Sequence, residues 1–379
     1  MLNFDYHNPV RVVFGRNTIG ELPKLLPPDV KIMLTYGGGS IFKNGVYDQV
    51  KKALQDYTVV EFGGIEANPH YETCMKAVEL GRAEQVGFLL AVGGGSVVDA
   101  TKFIAAAIPW TQGDPWEFLL SHDPRVAEAI PLGCVITLPA TGSEMNCAAV
   151  ITRAATQEKY HFYESKAFPR FSIIDPQVTF SLPQRQVING IVDTFVHVME
   201  QYMTYDVQSP LQDRQAESVI KTLIEEAPKV LAHPDDYDVR ANLFWASTVA
   251  LNGLLAVGVV QDWATHMIGH ELTALYGLDH AVTLAIVLPE LWRFKLIDKK
   301  DKLTHFGKEV FGVSTAEAAI AKVEEFFHSI DMKTKLAEHG VSSEEAAEKV
   351  RDRFSERGTK LGERGDIDGN AAYAILSKC

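Results

Sequence analysis

His266 and His270 lie one helical turn apart in DWATHMIGHELTALYGLDHAVT, His280 follows within the same stretch, and an Asp193-x-x-x-His197 spacing precedes them. One carboxylate and several imidazoles are the ligand set of a divalent ion that keeps a position open for substrate. Residues at i and i+4 of an α-helix share one face, so each pair can grip an ion from its own helix. Both His266 and His270 can face that ion. Any one of these histidines could instead be a core residue satisfied by hydrogen bonds, but the set is harder to explain that way. A carboxylate on an apolar helix face would be buried without a partner unless a cation met it.

The elements around these residues fit that role. INGIVDTFVHVMEQYMT reads as a helix with apolar residues at i, i+3 and i+4, and so does QDWATHMIGHELTALYG until Gly277 stops it. His280 is expected just past that helix end, placed to close the site. Upstream, VKIMLTY and VGFLLAV read as buried strands. The first ends in Gly37-Gly38-Gly39-Ser40, the second in Gly93-Gly94-Gly95-Ser96 before the helix VVDATKFIAAAI. A strand, a glycine turn and a helix N-terminus cradle phosphate, because free N–H groups and the helix dipole favour negative charge. Neither run spells G-x-G-x-x-G, so the second turn suits a pyrophosphate without carrying the usual fingerprint.

Strands and helices alternate through the first half: VVEFGGI, an Asn68-Pro69 turn, HYETCMKAVELGRAEQ, then AIPLGCVITLPATGSE. This pattern predicts an α/β dinucleotide-binding domain with a parallel, Rossmann-like sheet over residues 1–182. Near SLPQRQ the pattern changes to long helical segments, which predicts an all-α metal-binding domain over residues 183–379. A chain of 379 residues, 46% hydrophobic, has material for two such cores.

The net charge of −13 disfavours nucleic acid and anionic membrane as partners. No apolar run reaches the roughly 18 residues of a membrane span, and the N-terminus does not read as a signal peptide. Cys74, Cys134, Cys147 and Cys379 are scattered without a CxxC, which suggests neither disulfides nor a thiolate metal site. A cytoplasmic location is expected.

Together GGGSVVDATK, TLPATGSE, IIDPQVTFSLPQRQVINGIVDTFVHVMEQY and DWATHMIGH...GLDHAVTLAIVLPE resemble the iron-containing (type III) alcohol dehydrogenases over nearly the whole chain. Within that family the chain is most similar to the NADPH-dependent aldehyde reductase and butanol dehydrogenase branch. The resemblance implies that Asp193, His197, His266 and His280 bind the metal; His270, one helical turn from His266, is then the candidate for a proton relay from water, with a purely hydrogen-bonding role beside the ligands as the alternative. The resemblance also implies that Gly38, Gly39 and Ser40 flank the adenosine 2′ position of NADP(H). Asn68, Gly94, Gly95, Ser96 and Asp99 would hold pyrophosphate and ribose, and Thr137, Thr141 and Lys159 would line the rest of the cofactor site. Asn146, counted also with the cofactor residues, and Cys147 would face the substrate, together with aromatic residues such as Trp263. Met145, Cys147 and the tail GDIDGNAAYAILSKC depart from the family pattern.

The activity so implied is reversible reduction of small aldehydes to primary alcohols by direct hydride transfer, in a homodimer. An Asp plus three His accepts Fe²⁺, Zn²⁺, Mn²⁺, Co²⁺ or Ni²⁺, and affinity order does not decide which is held in a cell; Fe²⁺ or Zn²⁺ is expected. A metalloprotease would need a Glu base between its helical histidines, where this chain has Met267, Ile268 and Gly269. The alternative is a metal- and dinucleotide-dependent lyase or synthase of the 3-dehydroquinate synthase type, which would need a basic pocket for a phosphorylated acid. No Lys/Arg cluster adjoins the metal motif.

Overall fold

The computed structural model describes residues 1–120 and 126–379. The chain forms two compact units, the first built from His7–Pro183 with Pro234–Thr248 and the second from Met1–Tyr6, Gln184–His233 and Val249–Cys379.

The first unit holds a parallel sheet of six strands, ordered β1 (Arg11–Phe14), β8 (Phe171–Ile174), β5 (Leu132–Ile136), β4 (Phe88–Gly93), β2 (Ile32–Gly37) and β3 (Val59–Ile65). Its central strands are near-continuous apolar runs because both faces are covered. Leu89 and Ala91 enter one core with Val98, Phe103 and Ile104, while Phe88, Leu90 and Val92 enter the other with Val46 and Val50. Helix α1 (Val46–Ala53) covers the second face, and α2 (Tyr71–Glu84) and α3 (Gly95–Ala107) cover the first. An antiparallel hairpin of β6 (Ala148–Arg153) and β7 (Glu158–Tyr163) completes the unit.

The chain runs outward from β2 to β3 and then returns to place β4 on the other side of β2. The order therefore reverses between β2 and β4, and both glycine turns leave the carboxyl ends of these two neighbouring strands. In open parallel sheets that is where a dinucleotide lies.

Every strand of the described residues belongs to the first unit, and the second is built of helices. Those that matter for the site are α4 (Gln184–Tyr202), α7 (Ala264–Tyr276) and α8 (His280–Phe294), with α5 (Pro210–Ala232) packed on α4. Helix α8 packs on both α4 and α7. Among the described residues no helix is long and apolar enough to cross a membrane.

The expectation of a single division at 182/183 meets a difference in detail. Helix α6 (Tyr237–Ala250) lies in the stretch read as helical domain, yet all but its last two residues belong to the first unit. The reason is packing: Phe244 is buried in the α/β core, and Thr248 Oγ1 donates to Glu144 Oε1 at 2.5 Å. His280, expected just past the end of α7, does follow it after the turn Gly277–Asp279, and is at the same time the first residue of α8.

Candidate metal centre and cofactor cradle

One stripe of helix α4 carries the polar residues of the metal centre. Asp193 and His197 share a face, with His197 Nδ1 3.7 Å from Asp193 Oδ1. Helix α7 contributes His266, and α8 contributes His280, whose Nε2 is also 3.7 Å from Asp193 Oδ1. Ligand atoms of Asp193, His266 and His280 all lie within 4.8 Å of one another. His197 lies beside this trio, its ring stacked on that of His266 with centroids 4.7 Å apart. His270 is buried one turn along α7, its ring centroid 5.2 Å from His280 and 6.5 Å from His266.

These residues fit a divalent cation by their chemistry. Asp193 Oδ1 is buried and accepts no hydrogen bond, a costly state for a carboxylate oxygen that a bound cation would relieve. Asp193 and His266 are almost wholly enclosed, while the His280 side chain keeps 23% exposure, so the cluster retains an open side.

Two supports of this centre escaped the sequence reading. Glu200 accepts at Oε1 from the backbone N–H of His266 at 2.9 Å and lies 3.1 Å from its Nδ1. It stands seven residues after Asp193 on the same helix face, which is the signal that could have found it. Burial, and after it the Asp262 carboxylate, push the Glu200 carboxyl up to about 8. Asp262 in turn accepts from buried Lys299 at 2.9 Å and from Ala264 N–H at 3.0 Å. Between them Trp263 adopts φ 63°, a left-handed conformation uncommon for a bulky residue, and its ring sits edge-on to His266 at 5.1 Å.

The second missed support is Gly269. A Cβ there would lie 2.8 Å from Thr283 Oγ1, so the absence of a side chain lets α7 and α8 approach where each bears a histidine of the cluster.

In the first unit, Gly94 and Gly95 open α3 at the end of β4. A Cβ on Gly95 would fall 2.3 Å from Thr141 Oγ1, so only glycine allows the TLPATGSE loop to lie against this turn. Thr137 N–H donates to Gly93 O at 2.9 Å. Asn68, at φ 55°, donates its N–H to Ser96 Oγ at 3.3 Å and accepts from Lys159 Nζ at 2.9 Å. Lys159 comes from β7, and the hairpin is tied down where Thr152 N–H donates to Pro69 O at 2.9 Å. Ser40 follows Gly38 and Gly39 at the end of β2, and both Ser40 and Lys43 are exposed.

Asp99 and Asn146 are engaged with Lys102, which the sequence reading passed over. Lys102 is fully buried, and its Nζ donates to Ser143 Oγ at 2.8 Å, Asn146 Oδ1 at 2.9 Å and Ala148 O at 2.8 Å. Asp99 accepts from Ser143 Oγ at 2.6 Å and from Val150 N–H at 3.0 Å. Burial shifts both toward neutrality, lowering Lys102 and raising Asp99. A lysine three residues after Asp99 inside an apolar helix was the available signal. Cys147 is wholly buried and its thiol is pushed up by burial.

A parallel α/β unit with glycine turns at its switch point and a helical unit with an Asp/His cluster define a metal- and dinucleotide-dependent class of enzyme. The family described as iron-containing alcohol dehydrogenase matches residues 9–176, and its C-terminal region matches residues 187–362. The chain belongs to this family. It is 50% identical to the NADPH-dependent aldehyde reductase YqhD of Escherichia coli K12 over 97% of each chain. It is also 41% identical to the probable NADH-dependent butanol dehydrogenase 1 of Bacillus subtilis over 99% of each. The crystal structure of E. coli YqhD superposes with a TM-score of 0.97 at 48% identity, covering 100% of this chain and 98% of that one.

Proposed function

We propose that the protein reduces small aldehydes to primary alcohols, reversibly, with NADPH as hydride donor and one divalent metal ion. The observation that carries this reading is the convergence of Asp193, His266 and His280 donor atoms within 4.8 Å from three helices. With His197 they would hold Fe²⁺ or Zn²⁺, with Mn²⁺, Co²⁺ or Ni²⁺ also matching the donor set. When bound, the ion supplies Lewis-acid polarisation of the carbonyl and the cofactor supplies the hydride.

The chain's own residues do the rest. Gly94, Gly95 and Ser96 present the α3 N-terminus to pyrophosphate, with Asn68 and Lys159 beside Ser96, and Gly38, Gly39 and Ser40 receive the adenosine 2′ end. Thr137 and Thr141 shape the loop against the glycine turn. Asp99 and Asn146 are assigned to the cofactor through the loop they hold with Lys102. Glu200 orients His266. His270 passes a proton from water to the product oxygen. Ser40 supports NADPH over NADH, because no carboxylate stands there to repel a 2′-phosphate.

The two relatives compared above are named as a reductase and a dehydrogenase, and neither as a lyase or synthase, so the synthase alternative gains no support. We place the enzyme in the cytoplasm as a homodimer acting on small molecules, without nucleic-acid or membrane partners. The test is a panel of aldehydes with NADPH, run beside elemental analysis of freshly purified protein. Steady NADPH consumption that stops on exhaustive chelation and returns with added metal supports the reading. Full activity in metal-free protein overturns it.

A further inference from the structure

Helix α4 carries a ladder of polar residues at successive four-residue steps: Arg185, Asn189, Asp193 and His197. The last two belong to the metal cluster. The first two reach a different element, the residue immediately before His280. Arg185 Nε donates to Asp279 Oδ2 at 2.8 Å with Nη2 of the same guanidinium 2.5 Å away, and Asn189 Nδ2 donates to that oxygen at 2.9 Å.

Asp279 is also the residue that precedes helix α8, where an aspartate ordinarily turns its side chain back onto the first free N–H groups. Here the side chain makes no such cap. Its carboxylate is committed to α4, while its carbonyl accepts from Thr283 N–H at 3.1 Å. The turn between α7 and α8 is only Gly277, Leu278 and Asp279. Anchoring Asp279 therefore anchors the point from which His280 departs.

We infer that Asp279, gripped by Arg185 and Asn189, is a positioning residue that sets His280 against Asp193. One helix would then supply two members of the metal cluster and fix the place of a third, so the histidine that keeps partial exposure is held from outside the site. The Arg185 side chain is 73% exposed, and an ion pair so open to water adds little to global stability. Its loss should register at His280 and not in folding. This inference rests on the metal-centre reading above, so its test includes a measurement made without metal.

Zn²⁺ affinity is measured by chelator competition for the parent, Asp279→Ala, Arg185→Ala/Asn189→Ala and Arg185→Lys. Amide hydrogen exchange over residues 278–283 is measured on the same proteins stripped of metal. Asp279→Ala and the double variant are expected to bind Zn²⁺ roughly 10–100-fold more weakly, in the range found when a ligand's supporting partner is lost. Exchange over 278–283 should quicken with the thermal midpoint nearly unchanged, and Arg185→Lys should recover most of the affinity. Parent-like affinity and exchange in both disrupting variants would overturn the inference, as would a lowered thermal midpoint with unchanged affinity. If the parent itself takes up no ion, the metal-centre reading fails, and the exchange measurement alone decides for or against the clamp.

Discussion

Glu200 holds His266 twice through a single oxygen, meeting its backbone N–H at 2.9 Å and its ring Nδ1 at 3.1 Å. The first contact satisfies an N–H in the opening turn of α7, where no intrahelical acceptor exists. The second bears on the tautomer: when Glu200 accepts there, the proton sits on Nδ1 and Nε2 carries the lone pair that a metal needs. Glu200 thus acts both on where the ring starts and on which nitrogen it offers.

Glu200→Ala is therefore expected to weaken metal binding by roughly 10–100-fold. Glu200→Gln keeps a carbonyl oxygen that can accept from the same two donors, and should lie closer to the parent. Metal titration by calorimetry on both variants checks this, and equal affinity in the alanine variant would remove Glu200 from the site's support.

Gly269 makes a prediction of opposite sign to helix propensity. In an exposed helix interior, Gly→Ala stabilises by about 1 kcal/mol. Here the added Cβ would press on Thr283 Oγ1 at 2.8 Å, and that hydroxyl already donates to His280 O at 2.7 Å. Overpacking should outweigh propensity, so Gly269→Ala is expected to destabilise the fold by about 1–3 kcal/mol and to weaken metal binding by displacing His280. Urea unfolding with the linear-extrapolation slope unchanged is the measurement, and a stabilised variant would refute the close approach.

Much of this architecture can be read directly from residue patterns because the signals are local. Asp193 and His197 share a face by helix geometry alone, and the β4 run is apolar throughout, and β2 nearly so with Thr35 excepted, because both sheet faces are covered. What escaped depends on partners distant in sequence. Glu200 meets a residue 66 positions away, and Lys102 reaches Asn146 across 44. The hairpin strands β6 and β7, AAVITR and EKYHFY, are six residues each, and β1 and β8 are four-residue strands too short for any period to declare. Helix α6 was recognisable as a helix, but nothing in its own pattern says which core receives Phe244.

Ser40 makes the cofactor prediction. An aspartate there would accept the ribose 2′-OH of NADH and repel the 2′-phosphate of NADPH. The unmodified protein is expected to prefer NADPH, and Ser40→Asp should lower the ratio of kcat/KM for NADPH over NADH by on the order of tenfold or more, where tenfold corresponds to ~1.4 kcal/mol. Steady-state kinetics with both cofactors checks it. Equal efficiency in the unmodified protein would remove the role given to Ser40.

His270 makes the last prediction, because it shares a helix face with His266 yet stands outside the tight trio of donor atoms. Its ring is 5.2 Å from that of His280, near enough to be a fifth ligand or a neighbour that moves protons. The two roles differ in what survives substitution. Four protein ligands already suffice for a small divalent ion, and a catalytic centre must keep a position for the carbonyl oxygen. His270→Ala is therefore expected to retain one metal per chain while turnover falls by at most the ~10²–10⁴-fold typical of a lost proton-transfer group. The pH dependence of kcat should flatten at the same time, since the group that titrates would be gone. Metal analysis beside a pH–rate profile separates the alternatives: a variant isolated without metal would make His270 a ligand, and one with metal, turnover and pH profile intact would leave it no part in the reaction.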